Sequence, residues 1–214
     1  MHLASIWRYP VKSMAGERLA RVRIDEDGLH GDRRYYVKAK GRLVTSRTRP
    51  RLLGLHARLG TGGHGEDVLV DDRAWDAPEI GARVVAAAGA GAAIVASEEG
   101  GIFDVLPLSV ATDGALAAFG RDERRLRPNL VVAGVPGLAE RTWPGRILRI
   151  GAVRIGVARL RPRCVMTTYD PDTLVQDVDV LKDIVRDFEG ALALDCEVLE
   201  DGEVAEGDPV ELEA

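Results

Sequence analysis

Residues 160–173 read Leu160-Arg161-Pro162-Arg163-Cys164-Val165-Met166-Thr167-Thr168-Tyr169-Asp170-Pro171-Asp172-Thr173. The β-branched content of Val165–Thr168 predicts a short strand, and Asp170–Thr173 predicts a turn. Cys164 then stands at the start of a strand, beside a loop able to close over a ligand. Guanidinium groups at Arg161 and Arg163 favour thiolate over thiol, and the thiolate is the nucleophile and the soft-metal ligand. A lone cysteine is more often a small buried hydrophobe. The charged neighbours set Cys164 apart from that pattern. Cys196 lies in the alternating run Ala193–Leu199 and reads as structural.

Working outward, short strands recur. Leu3–Tyr9 and Leu19–Ile24 alternate, Arg34–Lys38 and Leu43–Thr45 flank the hairpin signal Lys40-Gly41, and Leu55–Leu59, Val68–Val70 and Arg83–Ala87 follow. Thr61-Gly62-Gly63-His64-Gly65 reads as a flexible connection, and Glu98-Glu99-Gly100-Gly101 as a loop between two halves. In the second half Ala111–Gly120 predicts a short helix, with Thr112 or Asp113 as N-cap and Gly120 just past its end. Val178, Leu181, Ile184, Val185 and Phe188 have helical spacing. Leu130–Ala133, Ile147–Ile150, Val153–Leu160, Glu197–Leu199 and Val210–Leu212 read as strands. The expected class is α+β, mostly β, barrel-like, with a few helices, divided at 1–97 and 98–214.

The composition is that of a globular chain: 214 residues, 46% hydrophobic, 29% charged, formal charge −5. The mild acidity argues against nucleic acid as the partner. Two cysteines build neither a secreted-type disulfide framework nor the four-thiolate cradle of an iron–sulfur cluster. A basic leader followed by a long apolar run is absent, so no signal peptide or membrane span is expected and the expected compartment is the cytoplasm.

Several cations and hydroxyls fall at strand ends: Lys12 and Ser13 after the first strand, Arg33 before another, Arg47 after Thr45-Ser46, and Arg127 and Asn129 in Leu126–Asn129. Such groups are what phosphate oxygens require, although singly each is an ordinary solvated charge. Arg121–Arg125 is mixed in sign and reads as surface. The chain lacks a Gly-x-Ser-x-Gly elbow, a Walker loop and His-Glu-x-x-His, and its four histidines suggest no zinc site.

Six ordered motifs resemble the MOSC family, named for the molybdenum cofactor sulfurase C-terminal domain. They are Tyr9-Pro10-Val11-Lys12-Ser13-Met14-x-Gly16, Gly28-Leu29-x-Gly31-Asp32-Arg33, Val44-Thr45-Ser46-Arg47-x-x-Pro50-Arg51-Leu52, Arg127-Pro128-Asn129-Leu130-Val131-Val132, Arg163-Cys164-x-x-Thr167-Thr168-x-Asp170-Pro171-Asp172-Thr173, and Gly207-Asp208-Pro209-Val210. The resemblance covers nearly the whole chain. It implies an N-terminal β-barrel domain packed on a MOSC β-barrel-like core, and it is nearest to the amidoxime-reducing subgroup. It also implies a molybdenum cofactor (Mo-molybdopterin), with Cys164 as the metal ligand. Lys12, Ser13, Arg33, Arg47, Thr112, Arg127, Asn129, Arg163 and Thr167 would be the cofactor-binding positions. Family vocabulary also includes pyridoxal phosphate binding. Two positions depart from the pattern: Pro162 stands where a cofactor-contacting Ser is usual, and Leu192–Asp195 replaces Phe-Gly-Gln-Tyr or Phe-Gly-Gln-Asn.

The implied activity is two-electron reduction of a small N-hydroxylated or otherwise N-oxygenated substrate. Asp170 is a candidate proton relay, although a solvated, turn-forming aspartate is the commoner role for such a residue. The chain has no flavin motif and no cluster ligands, so electrons would come from a separate reductase. Two alternatives stand beside this: a non-catalytic carrier of cofactor or persulfide sulfur on Cys164, and a reductive enzyme acting on a larger substrate.

Overall fold

The computed structural model describes residues 1–60 and 67–213, so the Thr61–Gly65 connection lies outside the described residues. Among them, the main sheet has eight strands. In spatial order they are Val210–Glu213, Ile147–Ile150, Val153–Pro162, Ala191–Glu200, Leu108–Thr112, Leu130–Ala133, His2–Arg8 and Glu17–Leu19. Leu108–Thr112 and Leu130–Ala133 pair in parallel; their neighbours pair antiparallel. The chain is α+β and mostly β, as its alternating runs predict.

Burial follows position in the sheet. Leu192–Cys196 and Leu108–Thr112 are buried without alternation, as central strands covered on both faces must be. Leu3, Ile6, Leu108, Leu130, Leu148, Ile155 and Leu194 share one core. A second core gathers Val11, Met14, Val37, Leu52, Val70, Ile80 and Val84 under two small sheets and a helix. Strands from the first 97 residues serve both regions. His2–Arg8 pairs with Leu130–Ala133, and Arg21–Asp25 pairs with Gly202–Ala205.

Two local expectations are corrected. Pro78–Ala88 is an α-helix, not a strand near Arg83–Ala87. The β-branched pair Val84-Val85 suggested a strand, yet Ile80, Val84 and Ala88 recur every fourth residue and are the buried ones, with Pro78 pre-organised for the first turn. Val165–Thr168 is a 3-10 turn rather than a strand. The Thr167 and Thr168 hydroxyls donate to the carbonyls of Cys164 and Val165, at 2.9 and 2.7 Å, which tightens the turn. The two expected helices are present at Asp113–Phe119 and Asp179–Phe188. Among the described residues no helix is long and apolar enough to cross a membrane.

The topology decides where chemistry collects. His2–Arg8 runs into Tyr9–Ser13, Arg127–Asn129 leads into Leu130–Ala133, Asp104–Pro107 leads into Leu108–Thr112, and Val153–Pro162 runs out to Cys164. These four segments meet at one end of the main sheet. Gly16 closes the first of them tightly, since a Cβ there would lie 2.2 Å from the Arg8 carbonyl oxygen.

Candidate functional site

A cavity of about 480 Å³ opens at that end of the sheet. Lys12, Ser13, Arg33, Arg47, Arg127, Asn129, Arg163, Cys164 and Thr167 line it. Nine of the expected positions, separated by up to 155 residues of chain (Lys12 to Thr167), therefore line one cavity.

Two expected positions do not line it. Thr112 is fully buried and caps the helix Asp113–Phe119; its Oγ1 accepts from the Ala115 N–H at 3.2 Å and donates to Glu140. The Asp170 carboxylate accepts from the Thr173 N–H and hydroxyl and the Asp172 N–H, and is ion-paired to Arg125 at 3.0 Å. Those bonds, the Thr173 N–H first, hold its carboxyl below the usual range. The turn-forming reading of Asp170 accounts for its contacts.

Tyr9 lies behind two of the lining residues rather than in the lining itself. The Arg33 and Arg127 guanidinium carbons lie 4.9 and 4.1 Å from its ring centroid, within cation–π range. Burial pushes the Tyr9 hydroxyl up to about 12, so it stays a neutral donor, and it donates to the Pro128 carbonyl at 3.3 Å. Ser13, Arg33 and Arg127 all have left-handed backbone, with φ of 74°, 53° and 53°. Non-glycine residues hold that conformation where surrounding structure compels it, commonly at functional sites. Asp32, fully buried, pairs with Arg33 and accepts from the Asn129 amide at 3.1 Å. Asn129 also accepts from Ser109 N–H at 3.1 Å and donates to the Trp7 carbonyl. Asn129 thus ties the expected Arg33 position to three strand ends, and its own donors and acceptors are used within the protein.

The decisive feature is electrostatic. Arg127 Nη2 and Arg163 Nε and Nη1 are shut off from solvent and have no hydrogen-bond partner. Desolvation pulls Arg163 down to about 9 and Arg127 to about 10; the Arg161 charge presses on both. At neutral pH both remain cations. A buried donor without an acceptor costs about 1–3 kcal/mol, so the wall is complementary to an anion that the protein itself does not supply.

Other cations are already engaged. Lys12 Nζ lies 2.8 Å from Asp104 Oδ1 and donates to the Ile102 carbonyl at 2.9 Å; Arg47 Nη2 reaches Asp104 Oδ2 at 2.8 Å. Burial lowers the Lys12 ammonium, against the pull of Asp104. Asp195, fully buried, receives Arg159 and Arg161. Asp104 and Arg159 carried no local signal in the sequence. Arg125, read as surface, lines the cavity with a side chain only 10% exposed. In its segment Asp122 pairs locally with Arg124, while Arg121, Glu123, Arg124 and Arg125 each reach a different distant partner. Among the described residues, eight cationic side chains line the cavity against Asp104 and Asp195.

Cys164 is partly accessible, whereas Cys196 is fully buried in the main core. Burial pushes the Cys196 thiol far up, which suits an inert hydrophobe. Among the described residues no three His, Cys, Asp or Glu side chains converge. A metal at Cys164 would therefore bring most of its ligands with it. A soft-metal centre on an anionic organic scaffold meets that requirement, and the orphaned guanidiniums of Arg127 and Arg163 fit its charge.

Residues 1–95 match the family described as the MOSC N-terminal beta barrel domain, and residues 115–211 match the MOSC domain. The chain is 39% identical over 89 residues to mitochondrial amidoxime reducing component 2 of Homo sapiens; the match covers 37% of this chain and 26% of that protein. It is 39% identical over 80 residues to the Bos taurus protein of the same name, covering 35% and 23%. The chain thus matches about a quarter of the length of these curated relatives. The crystal structure of the YuaD protein from Bacillus subtilis superposes with a TM-score of 0.54 at 14% identity, covering 100% of this chain and 96% of that one. At that identity the likeness concerns the fold alone.

Proposed function

The chain belongs to the MOSC family, and on that premise we propose that its cavity holds a molybdenum cofactor and that the protein reduces N-hydroxylated compounds. The observation that carries this reading is the set of unpartnered guanidinium nitrogens, Arg127 Nη2 and Arg163 Nε and Nη1, on side chains that line the same cavity as Cys164.

Cys164 as thiolate would be the protein's ligand to the metal. Arg33, Arg127 and Arg163 would hold the anionic scaffold by charge-assisted hydrogen bonds. Lys12 and Arg47 would contribute where the Asp104 contact yields to a stronger anion, and Ser13 would add its hydroxyl. Thr167 braces the turn that presents Cys164, through its bonds to the Cys164 carbonyl. Asn129 positions Arg33. When bound, the cofactor supplies two-electron oxygen removal: an N–OH group with two electrons and two protons gives N–H and water. The electrons come from a separate reductase, and the substrate is a small molecule.

The test is purification from a host that makes the cofactor, followed by dialysis. Molybdenum and pterin near one per chain, with benzamidoxime reduced at the expense of reduced methyl viologen, is the expected result. A chain that retains neither molybdenum nor pterin overturns the cofactor assignment. A loaded chain with no turnover, or a chain with cyanide-releasable sulfur on Cys164 in place of the metal, would make it a carrier instead.

A further inference from the structure

Residues 159, 161 and 195 add a second cationic cluster to the cavity lining. Asp195 lies on the central strand Ala191–Glu200 and is fully buried. It stands directly opposite Arg159 in the strand register, and that register slips on either side, between Val157 and Arg159 and between Leu160 and Pro162. Such bulges re-aim side chains at the ends of strands. On the facing strand Ala193 has φ of 70°, a left-handed backbone held by a non-glycine residue. Arg159 and Arg161, two residues apart on one strand, reach the same carboxylate. Arg159 Nε donates to Asp195 Oδ2 at 3.1 Å, and Arg161 Nη1 pairs with Oδ1.

Two guanidiniums share one carboxylate, so the cluster keeps one net positive charge and several unused N–H donors. Arg161 is 18% exposed at its side chain and Arg159 is 52% exposed, which places Arg159 at the mouth of the cavity. Arg127 and Arg163 differ in kind, because their orphaned nitrogens face no solvent. One pair is starved of an anion inside; the other is braced in advance and open to arriving molecules. Preorganised cations at an open mouth are suited to a ligand that comes and goes.

We propose that Arg159 and Arg161, braced by Asp195, form a subsite for an anionic group on the substrate, so that the preferred N-oxygenated compound carries a carboxylate or phosphate. This rests on the molybdenum reading of the same cavity. A second source has the same chemistry, namely an additional anionic group on the cofactor itself, and the experiment separates the two.

The cofactor-loaded protein is assayed with 4-carboxybenzamidoxime and with its neutral isostere, 4-carbamoylbenzamidoxime, using reduced methyl viologen. The expected KM is at least tenfold lower for the carboxylate. The preference should shrink as sodium chloride rises, since screening weakens exposed pairs most. In Arg159→Gln and in Arg159→Gln/Arg161→Gln it should fall stepwise to within about twofold, while Arg186→Gln, a surface control, keeps it. Molybdenum per chain should match the parent in these variants. Equal KM values in the parent, or an unchanged preference in the double variant, overturns the proposal while leaving the reductase reading intact. Loss of molybdenum from the double variant assigns the anion to the cofactor and also overturns it. Calorimetric titration with the same two compounds decides the subsite even if neither is reduced: the carboxylate should bind at least tenfold tighter, and only with both arginines present. Absence of turnover with that binding intact sinks the reductase reading alone.

Discussion

Lys12 and Asp104, 92 residues apart, meet at 2.8 Å inside the cavity, and Asp104 spends its other oxygen on Arg47. One carboxylate thus occupies two cations that the family resemblance assigns to a cofactor. Any incoming phosphate competes with Asp104 for both, whereas Arg127 and Arg163 offer donors with no rival.

Replacing Asp104 with Asn should remove that competition. Inorganic phosphate is the probe, titrated into cofactor-free protein. The Asn variant is expected to bind it about tenfold tighter than the parent, a gain of about 1.4 kcal/mol. A phosphate affinity unchanged by the substitution would show that Lys12 and Arg47 are not part of the anion site.

Arg163→Met should separate stability from loading. The substitution removes a guanidinium with two orphaned buried nitrogens while roughly keeping its volume, and gives up one bond, from Nη2 to the Leu126 carbonyl. Cofactor-free protein is expected to gain about 1 kcal/mol in denaturant unfolding, in the manner of buried charges replaced by apolar groups. Retained molybdenum should fall at least tenfold after dialysis. Stability lost together with normal loading would mean that the guanidinium is structural.

The two cysteines should behave differently. Cys164→Ser is expected to abolish molybdenum-dependent turnover with unfolding free energy within about 0.5 kcal/mol of the parent. In the native, cofactor-free protein iodoacetamide should label Cys164 alone; Cys196 should react only after unfolding, because it is fully buried and its thiol is pushed far up. Full activity in loaded Cys164→Ser would remove Cys164 from the metal.

Glu140 is 1% exposed, donates nothing, and accepts from Thr112 at 3.2 Å. Burial raises its carboxyl above the usual 4.5. Above 4.5 the unfolded chain releases this proton more readily than the folded chain, so folding loses stability as pH rises through the window between the two values. Glu140→Gln keeps the acceptor without the charge. It should be more stable than the parent at pH 7, by about 1 kcal/mol, and the difference should vanish below about pH 4.5. A pH-independent difference would assign the effect to packing instead.

Much of this was readable in the chain. The motifs around Lys12, Arg33, Arg127 and Cys164 are contiguous, and strand alternation and the Thr112 and Gly120 caps are local signals, so they survive without a structure. The helix Pro78–Ala88 and the turn Val165–Thr168 are not legible locally, because their β-branched residues have strand propensity, while contact with the core and side-chain bonds to the backbone settle their conformation.

The sequence by itself determined the α+β character, the family, and the set of cationic and thiol positions from which a site would be built. Only the tertiary structure decided which of them work together: that Asp104 takes Lys12 and Arg47, that Asp195 takes Arg159 and Arg161, that Thr112 and Asp170 serve local backbone, and that Arg127 Nη2 and Arg163 Nε and Nη1 are left without acceptors. Ion-pair partners are chosen by position after folding. A charged residue carries the same charge wherever it sits, and its meaning depends on which opposite charge the sheet brings within about 3 Å and on whether water can still reach it.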